Sequence, residues 1–145
     1  HGIAKPVLAN RLFKFRAWVR NEIMVNVVSI DFNNEFITWD DNQYDRCVPP
    51  NKCYEIETFD DIDIVQFTGL KDEKEHMIFD FDIIYSNYHG KTMIIFFGKD
   101  LRYRLSDNLI DLEGNSYVVN ETVIEEGFVK KGNIFENIEL MQTTS

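Results

Sequence analysis

The sequence has little proline or glycine and no long apolar run, and each shortage excludes a class of protein. Its 145 residues include 3 Pro and 7 Gly, too few for a collagen-like or proline-rich segment. The longest apolar run, Met93–Phe97, is of strand length and far below the roughly 18 residues of a membrane-spanning helix. The amino terminus lacks the pattern of a signal peptide. We therefore expect a cytoplasmic protein that makes no contact with a membrane.

Cysteine is also scarce, since the chain holds only Cys47 and Cys53. A bond between them would close a small loop, which the intervening prolines would favour, whereas a reducing cytoplasm favours free thiols. Both alternatives stay open. A zinc site needs four ligands, usually in two closely spaced pairs, and His76 and His89 lie in no such pair. We expect neither a metal nor another cofactor.

Basic charge is in the minority, since 15 Lys and Arg face 25 Asp and Glu and give a net charge of -10. Phosphate backbones repel such a chain unless it has a segregated basic face. The densest basic stretch is Arg11–Arg20, and the other cations are scattered, so we expect no nucleic-acid partner. An alternative reading of the acidity is imitation of DNA, in which the carboxylates of Asp60–Asp63 and Asp80–Asp82 line one surface and block a host nucleic-acid enzyme.

Apolar and aromatic residues are plentiful, and many follow a period of two. Hydrophobic residues make up 44% of the chain, with 12 Phe, which is enough for a core. Alternation in residues 13–18, 24–30 and 35–39 predicts an antiparallel meander. Further strands are predicted at 64–67, 78–84, 92–97 and 101–105, with 92–97 central because both its faces are apolar. Residues 106–112 predict a helical turn, and 116–119 and 122–124 predict short strands.

These segments predict a mainly β fold, α+β at the margin, with one or two short helices. The chain divides into a lead-in arm at residues 1–12, a domain at 13–140 and a tail at 141–145. Because no initiator methionine precedes them, we expect His1-Gly2 to be the remnant of an expression tag. Within the domain, residues 13–65 hold the N-terminal meander and a long polar loop, and residues 66–140 form the C-terminal half.

Three short strings carry a family resemblance: KFRAW at Lys14–Trp18, QFTGLKDEKEHMIFDFDII at Gln66–Ile84, and GNIFENIEL at Gly132–Leu140. Their order and spacing resemble the YopX family of small phage and prophage proteins. The middle string is the most specific, because family members look like QYTGLKDKNGKEIYEGDIV. Residues 66–72 match that pattern almost letter for letter.

The chain departs from the family pattern at a few positions. Glu75 and Phe81 stand where the family has glycine, and Lys130-Lys131 stands where it has an apolar pair. Without the first glycine, the hairpin turn can be of another type than in the family. The large apolar side chain of Phe81 must be buried or lie in an interface.

The resemblance implies a small phage accessory protein of the host cytoplasm that self-associates. It also implies an SH3-like small β-barrel in the C-terminal half, packed with the antiparallel meander, and it carries over no catalytic residue. We therefore predict a non-enzymatic protein that binds itself and an unknown host or phage protein. The motif positions expected to bind a partner or to support the fold are Gly69, Lys71, Asp72, Phe81, Asp82, Gly132, Asn133, Glu136 and Asn137.

Two pairs of alternatives remain open at this point. Asn133, Glu136 and Asn137 either form local hydrogen bonds in a turn or present a face to a partner. Asp80 and Asp82 either hold Mg²⁺ on one strand face, as in a metal-dependent nuclease, or form a solvated or charge-guarded strand edge. No Walker loop, HExxH or nucleophile-elbow pattern occurs, so we favour a protein that is not an enzyme.

Overall fold

The computed structural model describes residues 14–40 and 54–142 of the chain. These residues form two compact units, one before and one after the boundary between Gln66 and Phe67. Cys47 and Cys53 lie outside the described residues, so their pairing stays a prediction. No helix in the part of the chain that the structure describes is long and apolar enough to cross a membrane.

The N-terminal unit is an antiparallel sheet that contains the predicted meander. Its strands are β1 (Phe15–Val19), β2 (Ile23–Asp31), β3 (Phe36–Asp40), β4 (Tyr54–Thr58) and the first half of β5 (Ile62–Lys71). They lie side by side in the order β4-β3-β2-β1-β5. The β1–β2 hairpin turns at Arg20 and Asn21, whose φ angles of 56° and 52° are those of the tight turn that matches strand twist.

The two outermost strands of this sheet, β4 and β5, are joined only by the 3-10 turn Phe59–Asp61. Five flat strands would hold their outer edges about 19 Å apart, whereas the steps from Thr58 to Ile62 reach at most about 14 Å. The sheet must therefore curl around a core of buried side chains: Ala17, Val19, Val25, Ile37 and Trp39. Among the described residues, no β4–β5 pairing closes this sheet into a barrel.

The C-terminal unit holds the rest of the strands and the helix. Its elements are the second half of β5, then β6 (Met77–Phe79), β7 (Asp82–Ser86), β8 (Lys91–Phe97), β9 (Tyr103–Ser106), β10 (Ser116–Val118), α1 (Glu121–Glu126) and β11 (Phe128–Asn133). β6 pairs with β5, and the other strands form a sheet in the order β10-β9-β8-β7-β11. The predicted central strand is confirmed as β8, whose residues 93–96 are all buried. The core is built from Ile78, Ile84, Met93, Ile95, Leu105, Val123 and Phe128.

The mainly β prediction is confirmed, but the position of the helix is not. Residues 107–115 contain turns and bends instead of the predicted helix, because the Asn108 side chain accepts hydrogen bonds from the amides of Ile110 and Asp111 and competes with helical pairing. The predicted strand at 122–124 lies in α1, which Asn120 caps by accepting from the Val123 amide at 3.0 Å. The pairings of the described residues leave the C-terminal sheet open between β10 and β11, so an SH3-like barrel in this half stays a prediction.

Candidate functional site

The TGLKD segment of the middle motif begins with a bulge in β5. The register with β6 shifts between Phe67 and Leu70, and Gly69 takes a φ of 88°, a conformation that glycine adopts without strain. The Thr68 hydroxyl donates to the carbonyl of Ile78 at 2.7 Å and so fixes the bulge on its partner strand. Lys71 is exposed and pairs with Glu75 at 3.7 Å, a contact of little energetic weight.

Asp72 is the hub of this segment. Its carboxylate, whose side chain is 1% exposed, accepts the amides of Lys74 at 2.9 Å, His76 at 2.8 Å and Lys130 at 3.0 Å. The His76 ring lies 3.1 Å away. Burial opposes ionisation, but these hydrogen bonds outweigh it and lower the pKa of Asp72 to about 2. Asp72 therefore organises a turn and joins it to β11.

The turn that follows holds a non-glycine residue in the left-handed conformation. Glu75 has a φ of 68°, which an L side chain adopts only with strain. Its amide donates to the Asp72 carbonyl at 3.0 Å. Glutamate at this position therefore carries local strain that glycine would avoid.

Asp82 and Lys130 form a second buried hub. One Asp82 oxygen accepts the Phe79 amide at 2.7 Å and lies 3.0 Å from the Lys130 ammonium. The ammonium also donates to the Met77 carbonyl at 2.9 Å and lies 5.6 Å from the centre of the Phe79 ring. Lys130, which departs from the apolar pattern of the family, is therefore the charge partner of a motif carboxylate.

Phe81 occupies the position of the second missing glycine and keeps a φ of 66°. Its amide donates to Ile95 at 2.8 Å, and its carbonyl accepts from Ile134 at 3.0 Å. The ring packs edge-to-face on Phe135 at 6.4 Å. The half-buried side chain therefore packs on the third motif of the same chain.

The third motif is a turn held by its own side chains. The side-chain oxygen of Asn133 accepts hydrogen bonds from the backbone amides of Phe135 and Glu136. The side-chain nitrogen of Asn133 donates to the Glu136 carboxylate at 2.8 Å. Asn137 accepts the Asn133 amide at 3.2 Å. A Cβ on Gly132 would lie 2.2 Å from that Asn137 oxygen, which explains the glycine. The geometry matches the local-turn alternative for these residues.

Asp80 and Asp82 do not form the predicted pair on one strand face. Asp80 lies in the turn between β6 and β7 and accepts the Phe97 amide at 3.1 Å, whereas Asp82 begins β7 and binds Lys130. The prediction of a shared face was therefore wrong, because the chain turns at Phe81. Within residues 14–40 and 54–142, no group of three or more His, Cys, Asp or Glu side chains could hold a metal ion.

Ionisation of the Asp80 carboxyl group is disfavoured in the folded protein. Burial is the largest cause that raises the pKa of Asp80 to about 6; hydrogen bonds from the Phe97 and Phe81 amides oppose the rise in part, and the nearby charge of Asp82 adds to it. Since the unfolded pKa is lower, the folded state holds this proton more tightly. The stability contributed by the protonated group is present at low pH and declines as pH rises from about 4 to about 6.

We expect Asp80→Asn to stabilise the protein at neutral pH by about 1 kcal/mol, a value reduced for partial solvent screening. The amide oxygen can still accept from Phe97, and no charge remains. Urea unfolding at neutral pH and at about pH 4 would measure the effect, with Asp107→Asn on an exposed side chain as the control. A gain of equal size at both pH values would contradict this assignment.

An acidic cleft lies in the N-terminal unit. It has a volume of about 530 Å³ and is lined by Arg20, Asn21, Glu57, Asp60, Asp61, Ile62 and Asp63. Arg20 reaches across to the Glu57 carboxylate at 2.7 Å. The DNA-imitation hypothesis required the acids of 60–63 and 80–82 on one surface. That expectation was wrong for Asp82, which is 4% exposed and paired inside the protein.

A surface that the sequence did not predict lies at the rim of the C-terminal core. It consists of the side chains of Tyr88, His89 and Tyr117, which contact each other edge-to-face and at a tilt and are here called the aromatic ridge. Ring centres are 5.0 Å apart between Tyr88 and His89 and 4.8 Å apart between His89 and Tyr117. The tyrosines are 54% and 49% exposed.

Contacts of His89 and Lys91 support the aromatic ridge. The His89 Nδ1 lies 2.9 Å from the hydroxyl of buried Ser86, and burial, then the charge of Lys91, lowers the pKa of His89. The Lys91 ammonium lies 5.8 Å from the Tyr117 ring centre and is neutralised by Asp107 at 2.7 Å. The ridge is therefore supported at His89 by Ser86, and the cation beside Tyr117 is paired with a carboxylate.

Comparison with known proteins identifies the relatives of this chain. The family described as "YopX protein" matches residues 14–142. A solved structure described as "Crystal structure of protein EF1440 from Enterococcus faecalis" is similar with a TM-score of 0.55 and 24% sequence identity, over 90% of this chain and 98% of that one. This likeness concerns the fold alone. No curated protein matches the chain.

Proposed function

The chain belongs to the YopX family, and from that premise we propose that it is a non-enzymatic phage or prophage accessory protein of the host cytoplasm. In this proposal it acts through protein–protein contacts, both with other copies of itself and with a host or phage protein. The observation that carries the proposal is the aromatic ridge. Exposed tyrosines offer large contact area at a small loss of side-chain entropy.

The motif residues support the same proposal in a different way. Asp72, Asp82 and Asn133 are buried, and each binds backbone amides or side chains of the same fold. Groups engaged in this way position strands and turns. The surface chemistry that remains for a partner is then aromatic and neutral at the ridge, and acidic at the cleft of the N-terminal unit.

A matched pair of double variants tests the proposal. We expect Tyr88→Ser with Tyr117→Ser to reduce capture of partner proteins from lysogenic host lysate at least tenfold, because ridge aromatics are anchors. Leu101→Ser with Ile110→Ser, at side chains that are 76% and 97% exposed, should leave capture unchanged. The readout is quantitative mass spectrometry of the bound proteins together with the light-scattering mass of the free protein.

Two results would end the proposal. One is equal capture and equal mass for the ridge variant and the wild type. The other is a wild-type protein that has the mass of a single chain and retains nothing from the lysate above background.

A further inference from the structure

The turn between β7 and β8, residues 87–90, carries two members of the aromatic ridge and is closed by a buried serine. Ser86 is 0% exposed, and its carbonyl accepts from the Gly90 amide at 2.7 Å. Its hydroxyl oxygen accepts from the His89 amide at 3.3 Å and lies 2.9 Å from Nδ1 of the His89 ring. One hydroxyl group therefore holds both the backbone and the ring of His89.

The polarity of the bond to the ring fixes the protonation state of His89. A serine hydroxyl has one proton and two lone pairs, and one lone pair of Ser86 is taken by the His89 amide. Among the described residues, this hydroxyl bonds to that amide and to Nδ1 alone, and a buried hydroxyl rarely leaves its proton without an acceptor. Ser86 therefore donates to Nδ1, and the ring is the neutral tautomer with its proton on Nε2.

The groups that pack around the ring also favour its neutral form. Burial of the ring, followed by the charge of the Lys91 ammonium on β8, lowers the pKa of His89. Asp107 binds that ammonium at 2.7 Å and keeps it 5.8 Å from the ring centre of Tyr117 on β10. The rings in contact with His89, those of Tyr88 and Tyr117, are uncharged at neutral pH. A proton on Nδ1 would therefore meet a hydroxyl that points at it and a nearby cation.

We infer that the β7–β8 turn is a pH-sensitive switch, in which neutral His89 bonds to Ser86 and keeps the three rings of the aromatic ridge together, and protonated His89 releases Ser86 and separates them. This inference rests on the proposed function and adds regulation to the same site. Since the pKa of His89 is lower in the folded protein than its ordinary value of 6.5, the turn loses stability as pH falls below that value.

Nuclear magnetic resonance of the free protein tests the switch without any partner. At about pH 7.5 we expect the His89 ring to show a bare Nδ1 and a protonated Nε2. When the pH is lowered to about 5, the hydrogen-exchange protection factor of the His89 amide should fall about tenfold, because the Ser86 hydroxyl turns away from its acceptor. A protonated Nδ1 at the higher pH, or an unchanged protection factor at the lower one, overturns the inference.

Three variants assign the effect to these two side chains. Ser86→Ala removes the bond that favours the neutral ring, so the titration midpoint of His89 should rise toward 6.5. His89→Gln has no titratable ring, and the protection of its turn should be equal at both pH values. Asp80→Asn is the matched control and should keep the full change, because Asp80 titrates near pH 6 but binds the Phe97 amide. A pH effect that persists in His89→Gln contradicts the switch.

Capture of partner proteins from lysogenic host lysate connects the switch to the proposed function. The wild type should retain about tenfold less at about pH 5 than at about pH 7.5, whereas His89→Gln should retain equal amounts at both. Equal wild-type capture at both pH values would show that the switch does not control binding and would overturn the inference, while the proposed function stands. Absence of capture at the higher pH would end the proposed function, and the resonance experiment would still report the switch by itself.

Discussion

Asp72→Ala is expected to destabilise the protein by about 4 kcal/mol. The substitution removes a buried carboxylate and leaves the amides of Lys74, His76 and Lys130 without their acceptor; an amide that stays shielded from water without a partner costs about 1–3 kcal/mol. Since Asp72 links the turn of the middle motif to β11, the loss also frees that edge. Urea unfolding followed by tryptophan fluorescence and circular dichroism would measure the change.

The control is another aspartate in an ion pair. Asp107→Ala removes an exposed contact with Lys91 and should cost less than about 1 kcal/mol. Each variant replaces one aspartate carboxylate by a methyl group, so a difference between their unfolding free energies reports burial and hydrogen bonding. Equal and small losses would contradict the role of Asp72 as a hub.

The pH dependence of Asp72 has the opposite sign to that of Asp80. The pKa of Asp72 is lowered from 3.8 to about 2 by its hydrogen bonds, so its stabilising contribution is present above about pH 4. That contribution declines as pH falls toward 2. The alanine variant should lack this acid-sensitive component of the unfolding free energy.

Asp82→Ala is expected to cost about 3–5 kcal/mol, because it leaves the Lys130 ammonium half-buried without its counter-charge. The Phe79 amide loses its acceptor at the same time. The same urea unfolding measurement applies to this variant.

The double variant Asp82→Ala with Lys130→Met separates the two causes. It removes both charges and places an apolar residue where the family pattern has one, so we expect it to be more stable than Asp82→Ala alone. The coupling energy from the full cycle should exceed about 1 kcal/mol. Additive losses would show that the two side chains act independently and would contradict the pairing at 3.0 Å.

The sequence predicted the fold well where side chains alternate strongly. The meander and the central strand β8 follow directly from period-two apolar patterns, and the family resemblance is confirmed over residues 14–142. The helix was misplaced because short segments depend on side-chain capping. Asn108 and Asn120 both bind backbone amides through their side chains, yet only Asn120 begins a helix, and composition alone does not separate them.

The site could be predicted only in part. The sequence drew attention to the motif residues but did not reveal the partner that two of them bind, because Lys130 is far in sequence from both Asp72 and Asp82. The aromatic ridge was missed for the same reason, since Tyr117 reaches His89 only through the strand order of the C-terminal sheet. Sequence spacing carries no signal for such a contact. The left-handed angles at Glu75 and Phe81 were also beyond prediction, since glycine usually occupies such positions.

The Asp72 carboxylate, which binds the edge of β11 through the Lys130 amide, has a consequence for how the protein tolerates acid. A helix laid over an edge protects it at any pH, whereas a carboxylate protects only while ionised. With the Asp72 pKa near 2, the cover on β11 persists through mildly acidic media and is lost in strong acid. In such a solution the Lys130 amide loses its charged acceptor, and the β11 edge becomes available to another strand.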